Sequence, residues 1–553
     1  LTGNTLVPES ANIARHLPSM AARQPERVAI KIPRGRTADG KIDYLSLSFA
    51  ELNDEVDAWA GKLKSKDVQR GDRVLVMVRQ GLPLIAAAFA LFKIGAVPVI
   101  IDPGMGRKNF LACVGRSKPR VLLGIPLAQI MSRLFRSAFA SVSVRVWASS
   151  SATARLGGKS PLSNFKNEIV ESRADDLAAI LFTSGSTGAP KGVCYEHGMF
   201  DAQVRLVRDT YGISPGEVDL PMLPIFALFN PALGMTTVVP ELDPSRPAAV
   251  DPEKIVRAIQ QEQVTTSFGS PTLWRKIFDY CLDNEITLPG IRRILCAGAA
   301  VPASLWADAP RVLPNGKLHS PYGATEVLPV ATTSSTEMEI RPELGALIGR
   351  PLAENRVKII AVNEEPLASL AETHELPAGV VGEIVVTGPT VTKAYDQLPG
   401  ATAAAKIRDD NGGIWHRMGD AGRIDHDGRL WFSGRIAERV ETSSGPLYTE
   451  PVEQVFRGHP QVARCALIGL GRRGQQEPAL VVQPIAKVTT DQLATLTGAL
   501  RTLARQYPHT AIIRKFFFHP DFPVDVRHNA KIHRLTLARW AATATVHEPE
   551  PTT

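Results

Sequence analysis

The chain has 553 residues, well beyond the roughly 100 to 200 of a typical domain, so a large core and at least two domains are expected. Lys and Arg number 63 against 55 Asp and Glu, a net charge of +8, with 21% charged and 44% hydrophobic residues; that is a globular balance and excludes a disordered chain. The pI is near 9.2, but Phe, Trp and Tyr make up only 6%, few for stacking on bases, so the charge reads as a diffusely basic surface and no nucleic-acid partner is expected.

In chain order, the N-terminus Leu1-Thr2-Gly3-Asn4 has no basic segment leading into an apolar run, and no signal peptide is expected. Ser48-Phe49-Ala50-Glu51-Leu52 opens a helix with apolar spacing through Val56, Trp59, Ala60 and Leu63. Gly71-Asp72 turns, and Val74 to Val78 is a continuous apolar strand. The most apolar stretch, Leu82 to Ile101, is broken by Pro83, Lys93, Gly95 and Pro98. It reads as a buried helix (Leu84 to Phe92) and a buried strand (Val97 to Ile101), not a membrane span. Strand, helix, strand with apolar strands predicts parallel sheets covered on both faces. The rhythm recurs at Arg120 to Leu123, Ala178 to Phe182, and Arg293 to Leu295 after a helix Thr272 to Cys281. An α/β body therefore fills most of the first 430 residues.

After about Arg435 the character changes. Short strands at Arg464 to Gly469, Ala479 to Gln483 and Ile512 to Phe518 flank a helix near Asp491, and a last helix follows Lys531. The expected division is an α/β body over 1–435, a small α+β domain over 436–545, and a Pro-rich, polar, disordered tail over 546–553. Cys113, Cys194, Cys281, Cys296 and Cys465 are odd in number, scattered and without a C-x-x-C pair. Neither a disulfide framework nor a zinc ribbon is expected, and a reducing cytoplasm is the expected location.

The sharpest local signal is Thr183-Ser184-Gly185-Ser186-Thr187-Gly188-Ala189-Pro190-Lys191-Gly192, directly after the apolar strand. Glycines let backbone N–H groups approach a polyphosphate, hydroxyls donate, and Lys191 supplies charge. The order G-x-x-x-x-G-K-[ST] is not met, so this is a phosphate loop of another kind. A second glycine pattern, Gly469-Leu470-Gly471-Arg472-Arg473-Gly474, spells a dinucleotide fingerprint but is followed by another strand. With no helix N-terminus to receive a pyrophosphate it reads as a strand connection.

Four segments in order resemble the adenylate-forming superfamily of acyl-CoA synthetases, nonribosomal-peptide adenylation domains and luciferases, over roughly residues 45 to 540. They are the loop ending Pro190-Lys191-Gly192, Cys296 to Pro302, Pro321-Tyr322-Gly323-Ala324-Thr325-Glu326, and Gly419-Asp420 with Ser433-Gly434-Arg435. The resemblance implies ATP and Mg²⁺ as cofactors. It implies that Thr183, Ser184, Gly185, Ser186, Thr187, Gly188 and Lys191 wrap the phosphates, and that Gly298, Ala299, Ala300 and Gly323 border the adenine. It further implies that Tyr322 stacks on the base, Thr325 binds the α-phosphate, Glu326 holds the metal, and Asp420 and Arg435 contact the ribose. Asn529-Ala530-Lys531 resembles the family's last motif with alanine for glycine, implying that Lys531 reaches the α-phosphate. An aromatic face, a hydroxyl and a hard carboxylate suit a purine, a phosphate and a magnesium ion.

Two departures weaken a CoA-ligase reading. Ala227 in Pro224 to Phe229 stands where many relatives have histidine, and Ala437 stands at a hinge position that is usually Asp or Lys. Three segments are similar to the OleC group, the β-lactone synthetases of bacterial long-chain olefin biosynthesis: Asn12 to Pro18, Gly445 to Glu453, and Phe522 to Lys531. That likeness implies adenylation of a long-chain 2-alkyl-3-hydroxy fatty acid, closure by the acid's own 3-hydroxyl, and assembly with neighbouring pathway enzymes. Phe226, Leu228, Phe229 and Met235 are candidates for an alkyl pocket. A fatty-acyl-CoA ligase, a fatty-acyl-AMP ligase and a catalytically silent scaffold are the alternatives, the last opposed by Lys191, Glu326, Asp420, Arg435 and Lys531.

Overall fold

A computed structural model describes residues 10–148, 168–183, 189–243, 249–524 and 532–547. Two sheets build the body. The first has six strands in the order Val144–Trp147, Val121–Gly124, Arg73–Met77, Val97–Ile101, Leu177–Thr183 and Lys191–Glu196. The first five run parallel. The last turns back antiparallel, with Thr183 opposite Lys191. The glycine- and hydroxyl-rich segment therefore lies between two antiparallel strands, the second of which starts at Lys191. Phe49–Lys64 is started by a reciprocal cap: Ser48 Oγ accepts from the Glu51 N–H at 3.2 Å and Glu51 Oε2 accepts from the Ser48 N–H at 2.7 Å. Leu82–Lys93 is buried nearly all round, as the apolar run from Leu84 to Phe92 requires.

The second sheet has fifteen strands. From Val28–Arg36 through Thr236–Val238, Val218–Pro221, Thr266–Gly269 and Arg293–Cys296 to Lys317–Ala324 it is parallel. From Val327–Ser334 onward, through Gly345–Pro351, Leu430–Arg435, Ile414–Ile424 and Gly382–Thr387, every pairing is antiparallel. The expectation of parallel sheets thus holds for the first part of the body and is corrected for the last hundred residues. The cause of the misreading is burial. Gly382–Thr387 is buried at every position, the run a parallel strand shows, although its neighbours are antiparallel.

The C-terminal unit has its own three-stranded sheet, with Val462–Leu470 and Glu477–Pro484 antiparallel and Lys515–Phe518 parallel to the second. One face packs Phe456, Leu500 and Phe516, the other Phe517, Phe522 and Leu537. The strand expected from Ile512 starts only at Lys515, because Ile513 closes a turn by donating its N–H to Thr510 O at 2.9 Å. Gly469 and Leu470 end one strand of an antiparallel hairpin and Gly471 to Gly474 belong to its connection, with Gly471 and Gly474 at positive φ. The expected disordered tail is corrected at its start: His547 exchanges backbone hydrogen bonds with Phe516, while 548–553 lies outside the described residues. All five cysteines are free. Among the described residues no helix is long and apolar enough to cross a membrane.

Candidate active site

A cavity of about 1090 Å³ opens along the carboxyl ends of the parallel strands of both sheets. This is where open α/β sheets place their ligands. Arg435 lines one end of it and is tied to two residues outside the lining, Tyr322 and Asp420, that lie far apart in sequence. Tyr322 Oη donates to Asp420 Oδ2 at 2.6 Å, and Arg435 Nη1 lies 2.9 Å from Asp420 Oδ1. Asp420 and Arg435 face each other across neighbouring strands, so the sheet register creates the pair. Asp420 is 4% exposed. Its carboxylate raises the Arg435 guanidinium, while burial first and Asp420 second push the Tyr322 phenol well up.

Thr325 and Glu326 form the tip of the hairpin between Lys317–Ala324 and Val327–Ser334. Gly323 permits that tip, because a Cβ there would fall 2.7 Å from Val327 O. Tyr195 Oη donates to Thr325 O at 2.5 Å, and Thr392 donates to Glu326 O through its N–H at 2.9 Å and its hydroxyl at 3.0 Å. The Glu326 side chain is aimed by Tyr395, whose Oη donates to Oε1 at 2.7 Å. Lys191 Nζ lies 4.7 Å over the centre of the same Tyr395 ring. A backbone bridge between Val193 and Tyr395 fixes that stacking. The structure thus brings Lys191, Thr325 and Glu326 to one wall.

Ala297 and Gly298 line the cavity, with Gly298 at φ 98°, and Ala299 and Ala300 continue the same turn toward the helix Ala303–Val312. Thr183 ends its strand. Ser184, Gly185, Ser186, Thr187, Gly188 and Lys531 lie outside the described residues. Ala227 and Ala437 sit on two 3-10 turns, Pro224–Phe229 and Ile436–Glu438, and Ala437 borders the cavity.

The rest of the cavity is apolar. Leu84, Ala88 and Phe92 of one helix face it, as do Phe200, Val204, Val207 and Tyr211 of the helix His197–Tyr211. These are spacings of three and four, so each helix gives one continuous face. The three turns from Phe200 to Tyr211 run roughly 16 Å at 1.5 Å per residue. Phe226, Leu228, Phe229 and Met235 all line the same limb. Gln203, Asp219 and Asn230 break it: Asp219, its carboxyl pushed up to about 7 by burial, accepts from Asn230 Nδ2 at 2.8 Å.

Sequence reasoning missed Tyr395, Lys406 and His416. Lys406 Nζ donates to Thr392 Oγ1 at 3.2 Å, and burial takes its ammonium down to about 7 against the pull of Glu326. His416 lies directly opposite it across two strands. The signal was present in Ile414-Trp415-His416-Arg417-Met418-Gly419-Asp420, where strand alternation puts 416 and 418 on the inner face. Arg473 of the connection after Leu470 reaches back to Glu364 and Glu441 and borders the cavity. The glycine pattern there serves contact between the two units.

A single carboxylate suits a magnesium ion that arrives with substrate phosphates, which supply most of its oxygens. Glu326 fits that requirement. Among the described residues no group of three His, Cys, Asp or Glu would hold a metal by itself.

The sequence profile of the AMP-binding enzyme family matches residues 17–396. An olefin beta-lactone synthetase of Xanthomonas campestris pv. campestris is 44% identical over 547 residues, covering 96% of this chain and 97% of its own. Another, of Stenotrophomonas maltophilia, is 43% identical over 552 residues, covering 96% and 98%. Among solved structures the amide bond synthetase McbA of Marinactinospora thermotolerans superposes with TM-score 0.78 at 23% identity, over 96% of this chain and all of its own. O-succinylbenzoate coenzyme A synthetase of Bacillus subtilis, in complex with ATP and magnesium ion, gives 0.73 at 22% identity, over 94% and 98%. At those identities the structures speak for the fold. The chain belongs to the AMP-binding enzyme family, in company with the olefin beta-lactone synthetases.

Proposed function

We propose that the chain uses ATP to adenylate a long-chain 2-alkyl-3-hydroxy fatty acid and closes the acyl-adenylate to a β-lactone, releasing AMP and pyrophosphate. The observation that carries the reading is one cavity whose apolar limb runs into the Lys191, Thr325 and Glu326 wall. The near-full-length likeness to two olefin beta-lactone synthetases supports it. In this reading residues 1–435 form the body and 436–545 the lid, which brings Lys531 to the reacting phosphate.

The acid's carboxylate attacks the α-phosphorus of ATP and pyrophosphate leaves. Charge develops on the phosphoryl oxygens, and Lys191, Lys531 and the Thr325 hydroxyl stabilise it. Asp420 and Arg435 hold the ribose, and Gly298 to Ala300 with Tyr322 and Gly323 hold the adenine. Magnesium, bound by Glu326, would neutralise phosphate charge. The acid's 3-hydroxyl then attacks the acyl carbon. It is tethered to the electrophile, and such proximity reaches effective molarities of roughly 10⁵ to 10⁸ M, so no second acceptor is required. Ala437, in place of a charged hinge residue, agrees with a reaction that admits no CoA.

The test supplies ATP, Mg²⁺ and a 2-alkyl-3-hydroxyalkanoate without CoA. AMP together with a lactone carbonyl absorption is the expected result. A thioester formed from a simple fatty acid and CoA, with no lactone, would establish the acyl-CoA ligase instead.

A further inference from the structure

We propose that His416 is the base that takes the proton of the substrate's 3-hydroxyl as the lactone ring closes. The inference rests on the β-lactone reading and gives that reaction a residue for the step its adenylation residues do not serve.

The placement is specific. His416 is 3% exposed and lines the cavity. It sits within the strand Ile414–Ile424, paired with Val386 on one side and Lys406 on the other. Its Nδ1 lies 3.1 Å from Ala405 O. A carbonyl oxygen can only accept, so Nδ1 carries a proton. In the neutral ring the lone pair is then on Nε2, which has no hydrogen-bond partner among the described residues. A purely structural buried histidine satisfies both nitrogens. Here one nitrogen is anchored to the backbone and the ring is left with a free lone pair in a cavity wall, the arrangement by which a second group sets the tautomer of a catalytic base.

The neighbourhood fits the step. Lys406, paired with His416 across the strands, links through Thr392 to Glu326 O, so two residues separate His416 from the Thr325–Glu326 tip. Burial first, then Lys406, hold the imidazole well below its ordinary range, with Lys191 and Arg435 adding to it. The ring is therefore neutral in the free enzyme. When a nucleotide pairs with Lys191, that cation's field is offset and the ring becomes more basic, at the stage where a base is needed.

The chemistry balances. The 3-hydroxyl oxygen bonds to the acyl carbon as its proton passes to Nε2. The bond from the acyl carbon to the phosphate oxygen breaks, and AMP leaves with that electron pair. The imidazolium then returns its proton to water. No oxidant and no other acceptor takes part.

The test measures two rates on the full chain: acid-dependent exchange of pyrophosphate into ATP, and lactone formation. In His416→Asn the amide nitrogen replaces Nδ1 as donor to Ala405 O, and nothing replaces Nε2. Exchange within about threefold of wild type, with lactone formation down by about 100-fold or more and acyl-adenylate trapped by hydroxylamine, is expected. Because exchange needs the same folded site, the ratio of the two rates separates loss of a base from loss of fold. His416→Phe gives the ratio a second time. Lactone formation that keeps pace with exchange in both variants would overturn the proposal. Wild-type enzyme that exchanges pyrophosphate but forms no lactone would overturn the underlying β-lactone reading instead.

Discussion

Tyr322 and Asp420, 98 residues apart in the chain, meet in a 2.6 Å hydrogen bond that orients the carboxylate from one side while Arg435 holds it from the other. The bond determines which lone pairs of Asp420 remain for a ligand. Tyr322→Phe keeps the aromatic face and removes only the donor. A hydrogen bond to a charged group is worth about 1.5 to 3 kcal/mol, so the KM for ATP should rise about tenfold or more while kcat changes by less than about threefold. Pyrophosphate exchange at varied ATP measures both. A fall in kcat at constant KM would show that the pair acts in the chemical step and not in binding.

Ala88 faces the apolar limb from the middle of its helix, one turn from both Leu84 and Phe92, opposite the helix that carries Val204 and Val207. Its methyl group leaves space that a phenyl ring would occupy. Ala88→Phe should shift the preferred acid to shorter chains, lowering kcat/KM for the longest substrates by about tenfold, since a few methylene contacts are worth roughly 1 to 3 kcal/mol. Activity on short-chain acids should hold. An unchanged chain-length profile would put the alkyl chains elsewhere.

The fold was legible in sequence wherever local signals were strong. The Ser48 and Glu51 cap, the helix around Leu84 to Phe92 and the strand into Thr183 each carry their own start or stop. The antiparallel half of the large sheet was not, because strands buried on both faces lose the alternation that separates the two kinds of pairing. The site divides in the same way. Lys191, Thr325 and Glu326 were visible as motif residues, and the structure puts them on one wall. Tyr395, Lys406 and His416 carry no motif. They reach the site through a bridge from Val193 and a strand register, which only the folded sheet defines.

Arg534 fixes the start of the last helix to two other elements. Its Nε and Nη2 donate to the two oxygens of Glu453, both at 2.8 Å, and its Nη1 donates to Glu438 in the hinge turn at 2.8 Å. The Glu453 side chain is fully buried. Burial pushes its carboxyl up, but Arg534 and Arg457 outweigh burial and hold it below its ordinary 4.5. A carboxyl depressed in the folded state contributes stability above that ordinary value and loses it as pH falls through the folded value. Arg534→Met should therefore destabilise the C-terminal unit by about 3 kcal/mol or more and move its acid unfolding to higher pH. Circular dichroism during acid titration reads the shift. A midpoint unmoved from wild type would mean that Arg457 and the Leu467 N–H together satisfy Glu453.

Lys531 lies outside the described residues, three positions before Arg534 in the chain. If Lys531 serves adenylation, Lys531→Ala should lower pyrophosphate exchange by about 100-fold or more, the usual consequence of removing a preorganised charge contact. Arg534→Met should weaken exchange too, by less, because it loosens the start of the last helix without removing the lysine's charge. Glu326→Gln supplies the contrast: its loss should be partly recovered at raised Mg²⁺, whereas Lys531→Ala should not respond. Wild-type exchange in Lys531→Ala would remove this lysine from the adenylation step and leave Lys191 as the phosphate's cation.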